Sequence, residues 1–280
     1  MDWKGRIRAV ARALRGTGLN RRIAFPDCIR VQSPDETLRV ASHLIRTARR
    51  GAYLRFGDGE VNLLDGSGPA AAQRSTPLLA EEIREAFALG GPGIMKSLMI
   101  HSPRFGIFPG MVPGIHGVTD AWAEKLLSRC YPYFIGQCIY SHAALAYLSA
   151  FEPRRAIEFL TLLKAHTPVL VGNENIPPHI VSSLFGDTIH VKVPAQDAYR
   201  DIDRILQETL ERATSPGGDW RAVVVAAGAA GKVLQKRLYR RRVSVFSFDF
   251  GSLMDAFCGW RTRAWMELAP YDVRELLDDL

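Results

Sequence analysis

Apolar residues recur along this chain in blocks that alternate between helical and strand spacing. Behind Ser33-Pro34-Asp35-Glu36, a capping box with proline at the first helical position, Leu38, Val40, Ala41, Leu44 and Ile45 lie at helical intervals. The run closes on Arg49-Arg50-Gly51. Tyr53-Leu54-Arg55-Phe56 then runs into Gly57-Asp58-Gly59-Glu60, a pattern that predicts a short buried strand ended by a sharp turn. A small-residue loop leads to Thr76-Pro77, which opens a helix through Leu89 that Gly90-Gly91 ends. Residues 94–100 predict a second strand, with Lys96 and His101 near its ends. Residues 102–118 predict a Pro- and Gly-rich excursion, and residues 122–127 and 142–148 predict helices flanking the aromatic 131–140 segment.

The alternation is clearer in the second half. Helices are predicted over 154–166, 178–185, 199–212 and 232–241, interleaved with strands over 169–171, 188–193, 222–226 and 243–248. Apolar strands separated by helices of this length predict an α/β fold, a doubly wound and largely parallel Rossmann-like sheet with helices on both faces. Each of these strands ends in polar residues: Asn173-Glu174, Gln196-Asp197, Gly228 to Lys232, and Asp249. A parallel sheet gathers such ends on one rim, where open α/β sheets hold ligands, so these pieces are expected to converge with Asp58 and Glu60.

Composition changes this picture little. The chain has 280 residues, 47% hydrophobic and 23% charged, enough for one large α/β domain or two small ones. Four scattered cysteines without a CxxC pair argue against structural zinc and read as reduced thiols of a cytoplasmic protein. No stretch reads as a signal peptide or a membrane span. The net charge of +7 is uneven, because residues 1–22 hold seven basic residues against Asp2 alone. Trp3, Ile7, Val10, Ala11 and Leu14 fall there at helical spacing. The segment reads equally as a packed or solvated helix and as one lying on an anionic membrane surface, at the inner face of the membrane. Nucleic-acid binding is not expected, for want of a recognised module or interleaved aromatics.

Asp58 and Glu60, separated by a glycine, can aim two hard carboxylates into one space suited to Mg²⁺ or Mn²⁺ shared with a substrate phosphate. Arg55 adds a fixed positive charge. As a pattern alone, the stretch also reads as a solvated Asp-Gly turn. The Gly228-Ala229-Ala230-Gly231-Lys232 stretch lets backbone amides approach an anion, or else serves as a tight packing turn. Its glycine spacing and Val233 exclude a Walker A loop. His142, at a segment junction, is a candidate diphosphate contact or proton carrier, beside the structural role a lone histidine usually has. Gln73 and Arg74 sit on a loop that reads either as a lid or as ordinary surface.

Taken whole, Arg55-Phe56-Gly57-Asp58-Gly59-Glu60 resembles the opening motif of the GT-D-fold glycosyltransferases, in which an Asp-x-Glu pair holds the metal of a nucleotide-sugar donor. The chain is similar to such enzymes again at residues 193–199, at residues 228–234 and at residues 248–253, with Asp197 standing where family members often have asparagine. The resemblance covers roughly residues 35 to 262, so the chain is expected to divide into a basic N-terminal helical extension over 1–30, a GT-D-like domain over 31–265, and a tail over 266–280. The resemblance implies transfer of a sugar from a nucleoside diphosphate donor, usually a UDP-sugar, to a glycan or lipid-linked acceptor. Asp58 and Glu60 would hold Mn²⁺ or Mg²⁺. Arg55, Lys232 and the amides around Gly57, Gly59, Gly228 and Gly231 would share the diphosphate charge. Glu174, Asp197, Asp249 and His142 are the candidate bases. A metal-dependent phosphohydrolase and a non-catalytic nucleotide-sugar-binding module are the rival classes.

Overall fold

The computed structural model describes residues 29–66, 68, 72–109, 111, 117–214, 220–263, 265–269 and 271–280. The basic segment over 1–22, read above equally as a packed or solvated helix and as one lying on a membrane surface, lies outside them. Among the described residues, no helix is long and apolar enough to cross a membrane.

In chain order the elements are α1 (Pro34–Arg46), β1 (Gly51–Phe56), α2 (Asp58–Asp65), α3 (Pro77–Phe87), β2 (Ile94–Leu98), α4 (Asp120–Cys130) and β3 (Tyr140–Ser141). Then follow α5 (Ala144–Phe151), α6 (Pro153–Ala165), β4 (Val169–Asn173), α7 (Pro178–Phe185), β5 (Ile189–Val193) and α8 (Ile202–Ala213). The chain continues through β6 (Arg221–Ala226), α9 (Gly228–Arg240), β7 (Val245–Asp249), α10 (Leu253–Phe257) and α11 (Trp265–Leu268). The expected capping box at α1 is present: Ser33 Oγ accepts the Glu36 amide, and the Glu36 carboxylate accepts the Ser33 amide, each at 3.0 Å.

The seven strands form one parallel sheet in the order β3-β2-β1-β7-β6-β4-β5. Alternation along the strands feeds two cores. Ala52, Leu54 and Phe56 of β1 face α2, α3, α4, α8 and α9, whereas Tyr53 faces α1, α5, α6, α7 and α10. Val223 and Val225 divide from Val224 in the same way on β6. The sheet is thus covered on both faces, which is what a parallel sheet of apolar strands requires. The C-terminal residues, set apart above as a tail, return to the second core through Val273 and Leu276, 4% and 0% exposed.

The structure moves two expected boundaries. Gly57-Asp58-Gly59 is not a free turn. Gly57 is the N-cap of α2, and Asp58 and Glu60 occupy its first turn, because Glu60 Oε2 reaches back to the Gly57 amide at 2.9 Å and acids there favour the helix dipole. Likewise, Gly228 begins α9 instead of ending a turn at Gly231. A Cβ on Gly231 would stand 2.8 Å from Val225 Cγ1, so this glycine lets the helix pack closely on β6. The two-residue β3 was not foreseen.

Candidate active site

Strand order reverses at β1, whose neighbours are β2, next in sequence, and β7, last in sequence. A crevice opens at such a reversal because the connections leave in opposite directions. Here it is a cleft of about 700 Å³ on the carboxyl rim of the sheet. Arg55, Gly57, Asp58, Gly59, Glu60, His142, Gly228, Lys232 and Asp249 all line it. Asp58 and Asp249, far apart in the sequence, are therefore gathered on one rim by the sheet.

Two helix N-termini, those of α2 and α9, open onto this cleft through Gly57 to Gly59 and Ala227 to Ala229. Both bring the positive end of a dipole to the cleft, the usual arrangement for an anion; at α2 the Gly57 and Gly59 amides are already donated to Glu60 Oε2 and Asp58 Oδ1 at 2.9 Å each. Between them lies Lys232, 5% exposed, with Nζ 2.6 Å from Asp249 Oδ2 and 3.5 Å from Glu60 Oε1. Burial alone would push the Lys232 ammonium down, but the attraction of Asp249 and Glu60 outweighs it and raises the proton affinity above that of an ordinary lysine. Although ion-paired, Asp249 Oδ2 has no aligned hydrogen-bond donor. A second row of ion pairs steadies α9: Lys236 Nζ meets Glu85 of α3 at 2.8 Å and also reaches Glu82, while Arg237 meets Glu82 at 2.6 Å.

Arg55 is bolted in place. Its Nε donates to the His142 carbonyl at 2.8 Å and its Nη1 to the Phe250 carbonyl at 3.1 Å, joining the rims of β1, β3 and β7. The guanidinium rests over Gly251, which has φ +58°, and a Cβ there would collide with Arg55 Nη1. Gly251→Ala should therefore displace Arg55 and add left-handed backbone strain, costing about 1–3 kcal/mol of stability in thermal unfolding. An unchanged melting temperature would show that neither the Arg55 contact nor the left-handed backbone at this position constrains the fold.

His142 is kept neutral, first by burial and then by the positive fields of Arg55 and Lys232, which hold it well below the ordinary imidazole range. Neighbouring His101 is locked between the Gly106 carbonyl at 3.0 Å and Ser141 Oγ at 2.8 Å, and burial lowers it to about 4. Lys96 leaves the cleft altogether: Nζ donates to the Phe87 and Tyr133 carbonyls at 2.7 Å each.

Three sequence-predicted residues are not brought into the cleft wall: Gly231, which packs against Val225 instead, and two acids. Glu174 is exposed beyond the end of β4; strand-end position put it on the correct rim, but its side chain is not part of the lining. Asp197, in a left-handed conformation at φ 51°, accepts the Arg74 amide at 2.8 Å, pairs with Arg74 Nε at 3.1 Å and donates its own amide to the Ala72 carbonyl at 2.9 Å. It is a clamp between two connections, and the loop at Gln73 and Arg74 is tied across the cleft by it. Tyr199 adds to this clamp, donating its amide to Gln73 Oε1 at 3.0 Å. Sequence reasoning missed the wall formed by Ser252, Asp255, Arg263 and Trp265, which also lines the cleft. Its only signal was an aromatic and polar run after the last strand.

Among the described residues, no group of three or more His, Cys, Asp or Glu side chains is arranged to hold a metal ion. Asp58 is exposed with Oδ1 accepting the Gly59 amide at 2.9 Å, so Asp58 and Glu60 offer part of a coordination shell only.

No protein-family model matches the sequence, and no curated protein matches it. Solved structures do. A selenomethionine-substituted structure of domain of unknown function 1792 superposes with a TM-score of 0.60 at 18% identity, covering 82% of this chain and 80% of the other. A structure described as a new glycosyltransferase of the same domain type from Streptococcus sanguinis gives a TM-score of 0.57 at 20% identity, covering 81% and 82%. A third, described as showing that the domain has a distinct glycosyltransferase fold, gives 0.59 at 19% identity, covering 82% and 80%. This chain shares their fold.

Proposed function

We propose that the protein is a glycosyltransferase that moves a sugar from a nucleoside diphosphate donor, of the UDP-sugar class, to a hydroxyl of a glycan or lipid-linked acceptor. The observation that carries this reading is the meeting of two helix N-termini, Arg55 and Lys232 with the Asp58/Glu60 pair in one cleft. That combination suits a diphosphate and a cation together, and the fold shared with structures described as glycosyltransferases supports sugar transfer among the reactions that use such a pair, by analogy of fold.

Charge supports a divalent ion. The cleft wall carries four carboxylates (Asp58, Glu60, Asp249, Asp255) against three cations (Arg55, Lys232, Arg263). A diphosphate entering that field needs a further positive charge. Mn²⁺ or Mg²⁺ fits the donor set, since such ions take one or two carboxylates and draw their remaining ligands from water and substrate phosphate. Asp58 and Glu60 would hold it, and when bound it would supply Lewis-acid neutralisation of the leaving diphosphate. Lys232, Arg55 and the amides at the start of α9 bind and orient the diphosphate and stabilise its developing charge, with the α2 dipole adding to the field.

The test is an assay of the full-length chain with Mn²⁺ and a panel of UDP-, GDP- and dTDP-sugars, with and without octyl glycosides as acceptors. Transfer expects nucleotide release that requires both acceptor and metal and stops with EDTA. Release indifferent to acceptor would make the protein a phosphohydrolase, and nucleotide binding without release would make it a binding module.

A further inference from the structure

We propose that the cleft wall over residues 251–265 is the acceptor side of the site and that Asp255 receives the proton of the acceptor hydroxyl. This deepens the transfer reading and rests on it. The other carboxylates have different partners. Asp249 pairs with Lys232 at 2.6 Å, and Glu60 caps α2 while facing the same ammonium at 3.5 Å. Asp197 is clamped to Arg74 at 3.1 Å, Glu174 is outside the lining, and Asp58 belongs to the α2 terminus where the donor charge sits.

Asp255 stands apart on α10, beyond the end of β7. It lines the cleft and is partly buried, and its Oδ2 accepts Thr262 Oγ1 at 2.6 Å, which fixes the carboxylate plane. Among the described residues, Oδ1 has no hydrogen-bond partner, so it can accept a proton from a ligand. Burial raises the proton affinity above that of an ordinary carboxylate, against the pull of Thr262 and Arg263, which favours a base over a permanently solvated anion. Beside it, Trp265 is partly exposed and its Nε1 is directed at Ser252 Oγ, 3.4 Å away. A flat indole next to a hydroxyl, a carboxylate and the exposed Arg263 is the mixture that recognises a polyhydroxylated ring, with its C–H face on the aromatic plane and its hydroxyls on the polar groups.

In the step itself, the acceptor O–H bond breaks and its proton passes to Asp255. The freed oxygen electron pair forms the bond to the anomeric carbon of the donor. The bond from that carbon to the diphosphate oxygen breaks, and its electron pair departs with the nucleoside diphosphate beside Lys232. Asp255 then returns its proton to solvent.

The experiment uses full-length protein, the UDP-sugar panel with Mn²⁺, and octyl glycosides as acceptor probes. Asp255→Asn should slow transfer by about 10²–10⁴-fold, while the affinity for UDP with Mn²⁺ stays within about twofold by calorimetry. Asp255→Glu should recover part of the loss, and Trp265→Ala should raise the acceptor KM about tenfold with UDP affinity unchanged. Should Asp255→Asn fail to fold, Thr262→Val, at an exposed position, should lower kcat at unchanged UDP affinity by freeing the carboxylate. Transfer by Asp255→Asn within about threefold of wild type, or UDP affinity falling as far as transfer does, overturns the assignment while leaving the transfer reading intact. Wild-type protein that binds UDP but glycosylates no probe overturns both.

Discussion

Asp58→Asn combined with Glu60→Gln should abolish metal-dependent donor turnover, by at least about 10³-fold, since an ion neutralising the leaving diphosphate supplies several kcal/mol of transition-state stabilisation. The fold should survive. Both replacements are isosteric, and a glutamine at position 60 keeps an oxygen for the Gly57 amide that Glu60 Oε2 now accepts at 2.9 Å. Lys232 retains its closer partner, Asp249 at 2.6 Å, when the Glu60 charge at 3.5 Å is removed. What is lost structurally is two favourable charges on the first turn of α2, worth about 0.3–1 kcal/mol each. Nucleotide release at saturating Mn²⁺, measured beside thermal unfolding, separates the two effects. Turnover near the wild-type rate in a folded double variant would remove the role given to this pair.

Much of this arrangement was written in local pattern. Strands β1, β2, β4, β6 and β7 are largely apolar runs and the edge strand β5 alternates apolar with polar positions, and a parallel sheet of such strands puts their polar ends on one rim without further instruction. The rim position of Asp58, Glu60, Lys232 and Asp249 follows from that geometry, and all four line the cleft. Direction is another matter. Glu174 and Asp197 stand after strand ends as well, yet the first faces solvent and the second turns back onto Arg74 and the Ala72 carbonyl. Strand register fixes where a backbone ends, whereas the next one or two φ/ψ pairs decide where a side chain points, and those depend on partners distant in sequence.

The same limit explains the two shifted boundaries. Gly57-Asp58-Gly59 carries the composition of a turn, and the reach of Glu60 back to the Gly57 amide, with the Val61 amide donating to the Gly57 carbonyl at 3.2 Å, shows that it opens a helix. Gly231 reads equally as turn chemistry or as close packing until Val225 is placed beneath it. Asp255 was invisible for a different reason: α10 is five residues long, too short for a helical period, and its partner Thr262 lies in irregular chain.

Lys232→Met should be the most damaging single substitution in the cleft for stability. The side chain is 5% exposed and Asp249 is 3% exposed, so the ammonium is the cation that makes a charged carboxylate tolerable at that depth. Removing one member of such a pair leaves the other buried without compensation, a loss of about 3–5 kcal/mol even though the intact pair contributes little net stability. The pH dependence should move into the acidic-to-neutral range. In the wild type, the raised Lys232 proton affinity contributes stability that is complete below the ordinary lysine range and is lost only as pH rises through the higher folded value, so assays near neutrality see all of it. In the variant, the uncompensated carboxylate favours its protonated form, so stability should improve on acidification and decline toward neutral pH. Denaturant unfolding at pH 5 and pH 7.5 reads this directly, and a variant equally stable at both would argue against a lone buried charge. Adding Asp249→Asn should restore most of the lost stability without restoring turnover, because the diphosphate would still lack the cation that faces it between the two helix N-termini.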